Sequence, residues 1–161
     1  MFFSAYENAL DAKGRLSVPA SFRAAMGGEQ ELYIYPATDG SGFLEAGGSA
    51  LIRKNQKLIR RMNPQSGAGR AFQHAFFTRS ARPKMDEAGR IKLPEKLLKA
   101  ANIQKNVVFA GADDRFRIWA AETFIDHDGK MAEDAVTHQN ALDKAFQELL
   151  ASGELDDEDA A

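Results

Sequence analysis

Cysteine is absent from the 161 residues, which excludes a disulfide framework, a thiolate metal site and a cysteine nucleophile. Histidine occurs three times, as His74, His127 and His138, without the paired spacing of metal ligands, so no metal is expected. No stretch approaches the ~18 consecutive apolar residues of a membrane span. The opening Met-Phe-Phe-Ser-Ala-Tyr-Glu has no basic region followed by an apolar run, so no signal peptide is expected and the cytoplasm is the expected compartment. Gly40-Ser-Gly42 and Gly67-Ala-Gly69 lack the strand–turn–helix context of a phosphate-binding loop and read as a hairpin turn and a linker. A nucleophile elbow is also missing. These gaps point away from an enzyme, a cofactor or a small-molecule substrate.

What is present is charge asymmetry. The net charge is −2, but residues 1–125 hold 19 Lys and Arg against 12 Asp and Glu, a balance of +7. Residues 126–161 hold 2 against 11, a balance of −9. A basic body beside an acidic extension is consistent with a polyanion partner for the body. The apolar fraction of 44% is enough for a real core.

The chain is internally duplicated. Asp11-Ala-Lys-Gly-Arg15-Leu-Ser-Val-Pro19 recurs as Asp86-Glu-Ala-Gly-Arg90-Ile-Lys-Leu-Pro94, at an offset of 75 residues. At the same offset Leu32–Tyr35 falls on Val107–Ala110, and Phe43-Leu44 on Ile118-Trp119. Two copies are too few for an open solenoid, because each would leave an apolar face uncovered, so the halves should close on each other.

Each repeat, about 5–47 and 80–122, reads the same way. An extended segment meets the Asp-x-x-Gly-Arg turn, and a short strand follows (Leu16, Val18; Ile91, Leu93). A proline then takes the first helical position, opening helices over Ala20–Met26 and Glu95–Ala101. Two further strands come next, Leu32–Tyr35 with Gly42–Glu45, and Val107–Ala110 with Phe116–Ala120. Between the repeats, 48–76 is a helical insert. Leu51, Ile52, Asn55, Leu58, Ile59 and Met62 make its apolar stripe, and Arg53, Lys54, Lys57, Arg60 and Arg61 fill the other face. A second short helix is expected over Arg70–Phe76. Another starts at Glu122–Ile125, and Leu142, Phe146, Leu149 and Leu150 form a short amphipathic stripe. Residues 126–161 therefore read as a helical, then acidic, extension whose end from Gly153 is disordered. Phe2, Phe3, Phe76 and Phe77 suit core or subunit packing better than base stacking.

The repeated motif has a physical logic. The Asp carboxylate can accept backbone N–H groups of a tight turn, and the Gly supplies positive φ. An Asp11–Arg15 contact would orient the guanidinium and leave donors free for guanine O6 and N7 or for phosphate oxygens. Lys13 and Lys92 stand nearby. The same residues would serve equally as a turn-stabilising ion pair with no ligand.

These motifs, with Phe116-Arg-Ile-Trp119 closing the second repeat, closely resemble the MraZ family of the AbrB-like, swapped-hairpin DNA-binding superfamily. The resemblance covers about residues 1–125. It implies an α+β, mainly β fold: a double-split β-barrel of two pseudo-symmetric repeats with flanking helices. It implies a ring-like homo-oligomer, an octamer or similar. It also implies a cytoplasmic, nucleoid-associated repressor that binds double-stranded DNA at G-rich direct repeats upstream of its own division and cell-wall operon. By position, Asp11, Gly14, Arg15, Asp86, Gly89 and Arg90 carry the motif. Arg15, with Arg90, is expected to read bases. Lys13, Lys92 and part of the Arg53–Arg61 stripe are expected to neutralise phosphates. The rival expectation is an antitoxin-like module whose extension binds a protein partner; the duplication within one chain argues against it, since such antitoxins carry one copy and dimerise.

Overall fold

The duplication folds as two interleaved halves. In the computed structural model, which describes residues 1–155, residues fall into a unit Met1–Thr123 and a second starting at Phe124. β1 (Ala5–Ala9) pairs antiparallel with β6 (Asn106–Gly111), placing Tyr6 opposite Phe109. One repeat later, Ala81 bridges Ile34 and Lys84 bridges Glu31, so the 80–85 segment runs along β3 (Tyr33–Pro36) in the equivalent register. Each repeat thus adds its first segment to the other repeat's sheet. β3 continues through a turn into β4 (Leu44–Gly47), and β6 into β7 (Phe116–Ala120). β4 also pairs with β7, which completes an antiparallel sheet ordered β1-β6-β7-β4-β3.

The strands after the two motifs, β2 (Arg15–Ser17) and β5 (Arg90–Lys92), form a separate antiparallel ribbon with Leu16 opposite Ile91. The fold is therefore mixed helix and sheet, and no closed barrel is found among the described residues. Side chains alternate across a strand, so Leu16 and Ile91 point inward, fully buried, while Ser17 and Lys92 are exposed. Burying each apolar side chain is worth about 1.5–3 kcal/mol. Behind the ribbon lie Val18, Leu93, Phe22, Leu97 and the sheet residues Ile34, Phe109, Phe116 and Ile118. Phe2 closes this core against Phe22 and Phe116, whereas Phe3 is exposed on the single chain and takes no part in the core.

Pro19 and Pro94 precede α1 (Ala20–Ala25) and α4 (Glu95–Ala100). They stand in extended conformation at the cap, one residue ahead of the first-turn position expected for them. The ring still fixes φ where the chain turns inward.

The insert covers the other sheet face. α2 (Ser49–Arg61) buries Leu51, Asn55 and Ile59 against Tyr33, Tyr35 and Phe76. Its last turn holds Arg60 and Arg61, which suit the negative end of the helix dipole. Leu58, expected in the stripe, is exposed instead. α3 (Gly67–Gln73) runs into a π-helical turn, His74–Thr78. Gly67-Ala-Gly69 is thus the first helical turn and not a linker. Ser66 caps it by accepting from Gly69 N–H at 2.9 Å. A methyl at Gly69 would stand 2.1 Å from the Asn63 carbonyl oxygen, so the tight entry needs glycine.

Beyond Ala120, α5 (Ala121–Thr137) and α6 (Gln139–Ser152) bury no residue. Gly153, at φ 74°, ends α6 in the left-handed conformation. The expected disordered end from Gly153 lies, for residues 156–161, outside the described residues. No helix among the described residues is long and apolar enough to cross a membrane.

Candidate nucleic-acid interface

The two Asp-x-x-Gly-Arg turns adopt the same hydrogen-bond pattern. Asp11 Oδ1 accepts from the backbone N–H of Lys13 at 2.9 Å and of Arg15 at 2.8 Å. Its Oδ2 accepts from Arg15 Nε at 2.8 Å. Asp86 repeats this with Ala88 N–H, Arg90 N–H and Arg90 Nε, each at 2.9 Å. Backbone bonds close both turns: Gly14 N–H donates to Asp11 and Gly89 N–H to Asp86, each at 2.9 Å. Gly14 at φ 75° and Gly89 at φ 77° occupy the left-handed region, as the motif required.

The carboxylates are tuned by these donors. In Asp11 the Arg15 backbone N–H, joined by the Arg15 guanidinium and the Lys13 backbone N–H, holds the carboxyl below its ordinary value against the opposing effect of desolvation. Arg90 does the same for Asp86. Each Asp therefore stays ionised and fixes its arginine through Nε. The two terminal nitrogens of each guanidinium have no hydrogen-bond partner among the described residues.

The ribbon brings the copies together. Arg15 lies opposite Lys92, and Arg90 opposite Ser17. Directly opposed side chains on one face stand about 5 Å apart, so Arg15, Lys92, Ser17 and Arg90 share the outward face. The environments differ. The first turn carries Lys13 and faces Lys92, while the second carries Glu87 at the matching offset of Ala12.

Arg23, which the sequence reading did not single out, lies at the second turn. Its Nε donates to the Val18 carbonyl at 3.2 Å, and its guanidinium covers Gly89. At the 75-residue offset its counterpart is Leu98, so the duplication itself carried no signal for it. The Arg53–Arg61 stripe is on α2, a different element from the ribbon; Lys54 there is paired to Asp114 at 2.6 Å.

Comparison with known proteins places these features in a family. Residues 1–38 and 76–146 match the family described as "MraZ protein, putative antitoxin-like". The chain is 42% identical over 143 residues to the transcriptional regulator MraZ of Hyphomonas neptunium, covering 89% of this chain and 86% of the relative. It is 38% identical over 128 residues to the protein of that name from Beijerinckia indica, covering 78% and 77%. For that of Rickettsia akari the figures are 34% over 129 residues, 79% and 86%. The match extends past Ile125, where the resemblance read from the motifs stopped, and enters α6. Both motif copies fall inside the matched stretches, and the chain belongs to the MraZ family.

Proposed function

We propose that this protein is a DNA-binding transcriptional regulator that acts as a repressor. Its operator is a set of G-rich direct repeats upstream of its own division and cell-wall operon. The observation that carries the reading is the Arg15 guanidinium, held by Asp11 through Nε with both terminal nitrogens free. A fork oriented in this way suits guanine O6 and N7. Lys13 and Lys92 flank it and neutralise phosphates, which position the protein without carrying sequence information. Arg90, with Asp86 and Gly89, is the second reading element.

The interleaved pairing of the two repeats favours the swapped-hairpin, double-split barrel, with residues 1–125 as its domain. Several copies assemble into a ring-like homo-oligomer associated with the nucleoid. Tandem sites then bind with avidity, since each later contact is intramolecular. A footprint on the upstream region with wild-type and Arg15→Ala protein tests this. Protection of spaced G-rich repeats by wild type alone is expected; equal protection by both overturns the role of Arg15.

A second reading rests on the family description as antitoxin-like and on the exposed α6. It requires a stable protein partner that co-purifies with the chain.

A further inference from the structure

The cations of α2 have no task in the ribbon. Leu51, Asn55 and Ile59 are buried against the sheet side of the helix. Arg53, Lys57 and Arg61 each stand two residues further on, about 200° round the helix axis, and are exposed, with Arg60 beside them. The stripe runs for about 12 Å at 1.5 Å per residue. Its side chains have no salt bridge among the described residues, whereas Lys54 on the flank is held by Asp114, and Arg82 by Glu31. Glu29 sits at the start of α2, where Ser49 first and Arg53 last hold its carboxyl below the ordinary value. The whole 46–85 stretch contains nine Lys and Arg and no acidic residue. On β3, Ile34 packs with Leu16 and Ile91 of the ribbon, while Tyr33 and Tyr35 pack with α2. The ribbon and α2 therefore cover opposite faces of the sheet. With stacked layers about 10 Å apart, their outward faces are separated by about 20 Å. A straight duplex seated on the ribbon is out of reach of the stripe.

We propose that the outward face of α2 is a second, sequence-independent DNA-binding surface, which takes the phosphate backbone of a duplex segment other than the one on the ribbon. The choice of ligand rests on the DNA-binding reading above. Charge complementarity selects it: a row of unpaired cations, with no carboxylate among them, meets a line of phosphates spaced about 1.7 Å apart along the duplex axis. Such contacts carry no sequence information. A protein partner needs an apolar anchor, and Leu58, the exposed leucine of α2, stands nearer the buried side than the stripe. A membrane surface needs a free apolar face, and that of α2 is already packed on the sheet. One protomer then holds two duplex segments, one by sequence and one by charge.

The test titrates full-length protein against a short scrambled duplex by fluorescence anisotropy, over a range of salt concentrations. Arg15→Ala/Arg90→Ala disables the ribbon, Arg53→Gln/Lys57→Gln/Arg61→Gln removes the stripe, and a third variant combines them. The ribbon variant should lose the upstream footprint yet still bind the scrambled duplex. Adding the stripe substitutions should flatten its slope of log affinity against log salt by about 2.7 for three phosphate contacts, which is about forty-fold in affinity between 50 and 200 mM salt. Arg53→Lys/Arg61→Lys keeps the three charges and should bind the scrambled duplex as wild type does, since phosphate accepts a point charge. Loss of binding in that variant overturns a contact made by charge alone. An unchanged slope in the combined variant overturns the second surface and leaves the ribbon reading standing. Scrambled-duplex binding already abolished in Arg15→Ala/Arg90→Ala does the same. A fall in native mass of the stripe variant assigns α2 to contacts between copies and also overturns the proposal. A wild-type protein that binds neither upstream nor scrambled duplex overturns both readings.

Discussion

The Arg23 side chain of the first repeat lies across Gly89 of the second, where a methyl group would stand 2.6 Å from its Cδ and 2.7 Å from its Nε. The equivalent Gly14 has open space around the same position. Two turns with matching backbone angles and hydrogen bonds therefore differ in what they tolerate. The duplication repeats the turn but not its neighbour.

Alanine at either glycine must adopt positive φ, which costs about 1–2 kcal/mol. At Gly89 the added methyl also displaces Arg23 and breaks its bond to Val18, adding about 0.5–1.5 kcal/mol. Gly89→Ala should destabilise more than Gly14→Ala in urea unfolding, and the gap should vanish in an Arg23→Ala background. Equal costs in the wild-type background would show that Arg23 does not constrain the turn.

Much of this was legible in sequence because the duplication repeats polar turn residues as well as apolar ones. Asp11, Gly14 and Arg15, and their copies at Asp86, Gly89 and Arg90, adopt the turn that their chemistry requires. Leu16 and Ile91 face inward because their strand alternates. What escaped was what local pattern does not mark. Arg23 has Leu98 at the offset, so nothing marked it. Gly67-Ala-Gly69 has the composition of a linker, and only Ser66 as a cap makes it helical. Pairing between the 80–85 segment and β3 is a long-range event that no local pattern encodes.

Tyr33 ties the insert to the sheet: its hydroxyl donates to the Phe76 carbonyl in the π-helical turn and accepts from Asn55 Nδ2 at 3.3 Å. Burial pushes its phenol up to about 12, so it stays neutral and donating. Tyr33→Phe removes the partner of two buried groups. A loss of about 1–3 kcal/mol is expected, with faster amide exchange in His74–Thr78. Unchanged exchange there would mean the turn is held by ring packing alone.

Asp114 joins the sheet side to α2 through Arg115 at 3.1 Å and Lys54 at 2.6 Å. The Arg115 hydrogen bond first, then Lys54, lower its pKa from 3.8 to about 2. A lowered folded value means the unfolded state binds the proton more tightly. Stability from this group is therefore present above 3.8 and is lost as pH falls through about 2. The pair is partly exposed, so the effect is screened and modest. Glu45, raised by burial despite Arg117 and Arg115, acts in the opposite sense: its contribution is present below 4.5 and fades as pH rises above it. Denaturant unfolding between pH 2 and 5 should show a shallower acid loss in Asp114→Asn than in wild type. Parallel curves would remove Asp114 from the acid-sensitive set.

Arg15 provides the sharpest separation of charge from geometry. Arg15→Ala removes both and should cost about 1–3 kcal/mol per site, multiplied across an oligomer. Arg15→Lys keeps the charge but not the planar fork, and an ammonium cannot make the same bidentate contact. Affinity for the proposed G-rich operator should fall for the lysine variant while its salt dependence stays near wild type, because the same counterions are released. Lys13→Ala and Lys92→Ala should do the converse. Each should reduce the slope of log affinity against log salt by about one per DNA contact and weaken operator and unrelated DNA alike. Gel-shift titrations over a range of salt concentrations, on operator and scrambled duplexes, read all four variants at once. If Arg15→Lys binds the operator as wild type does, the guanidinium is a phosphate contact and not a base reader. Asp11 would then serve only to close the turn.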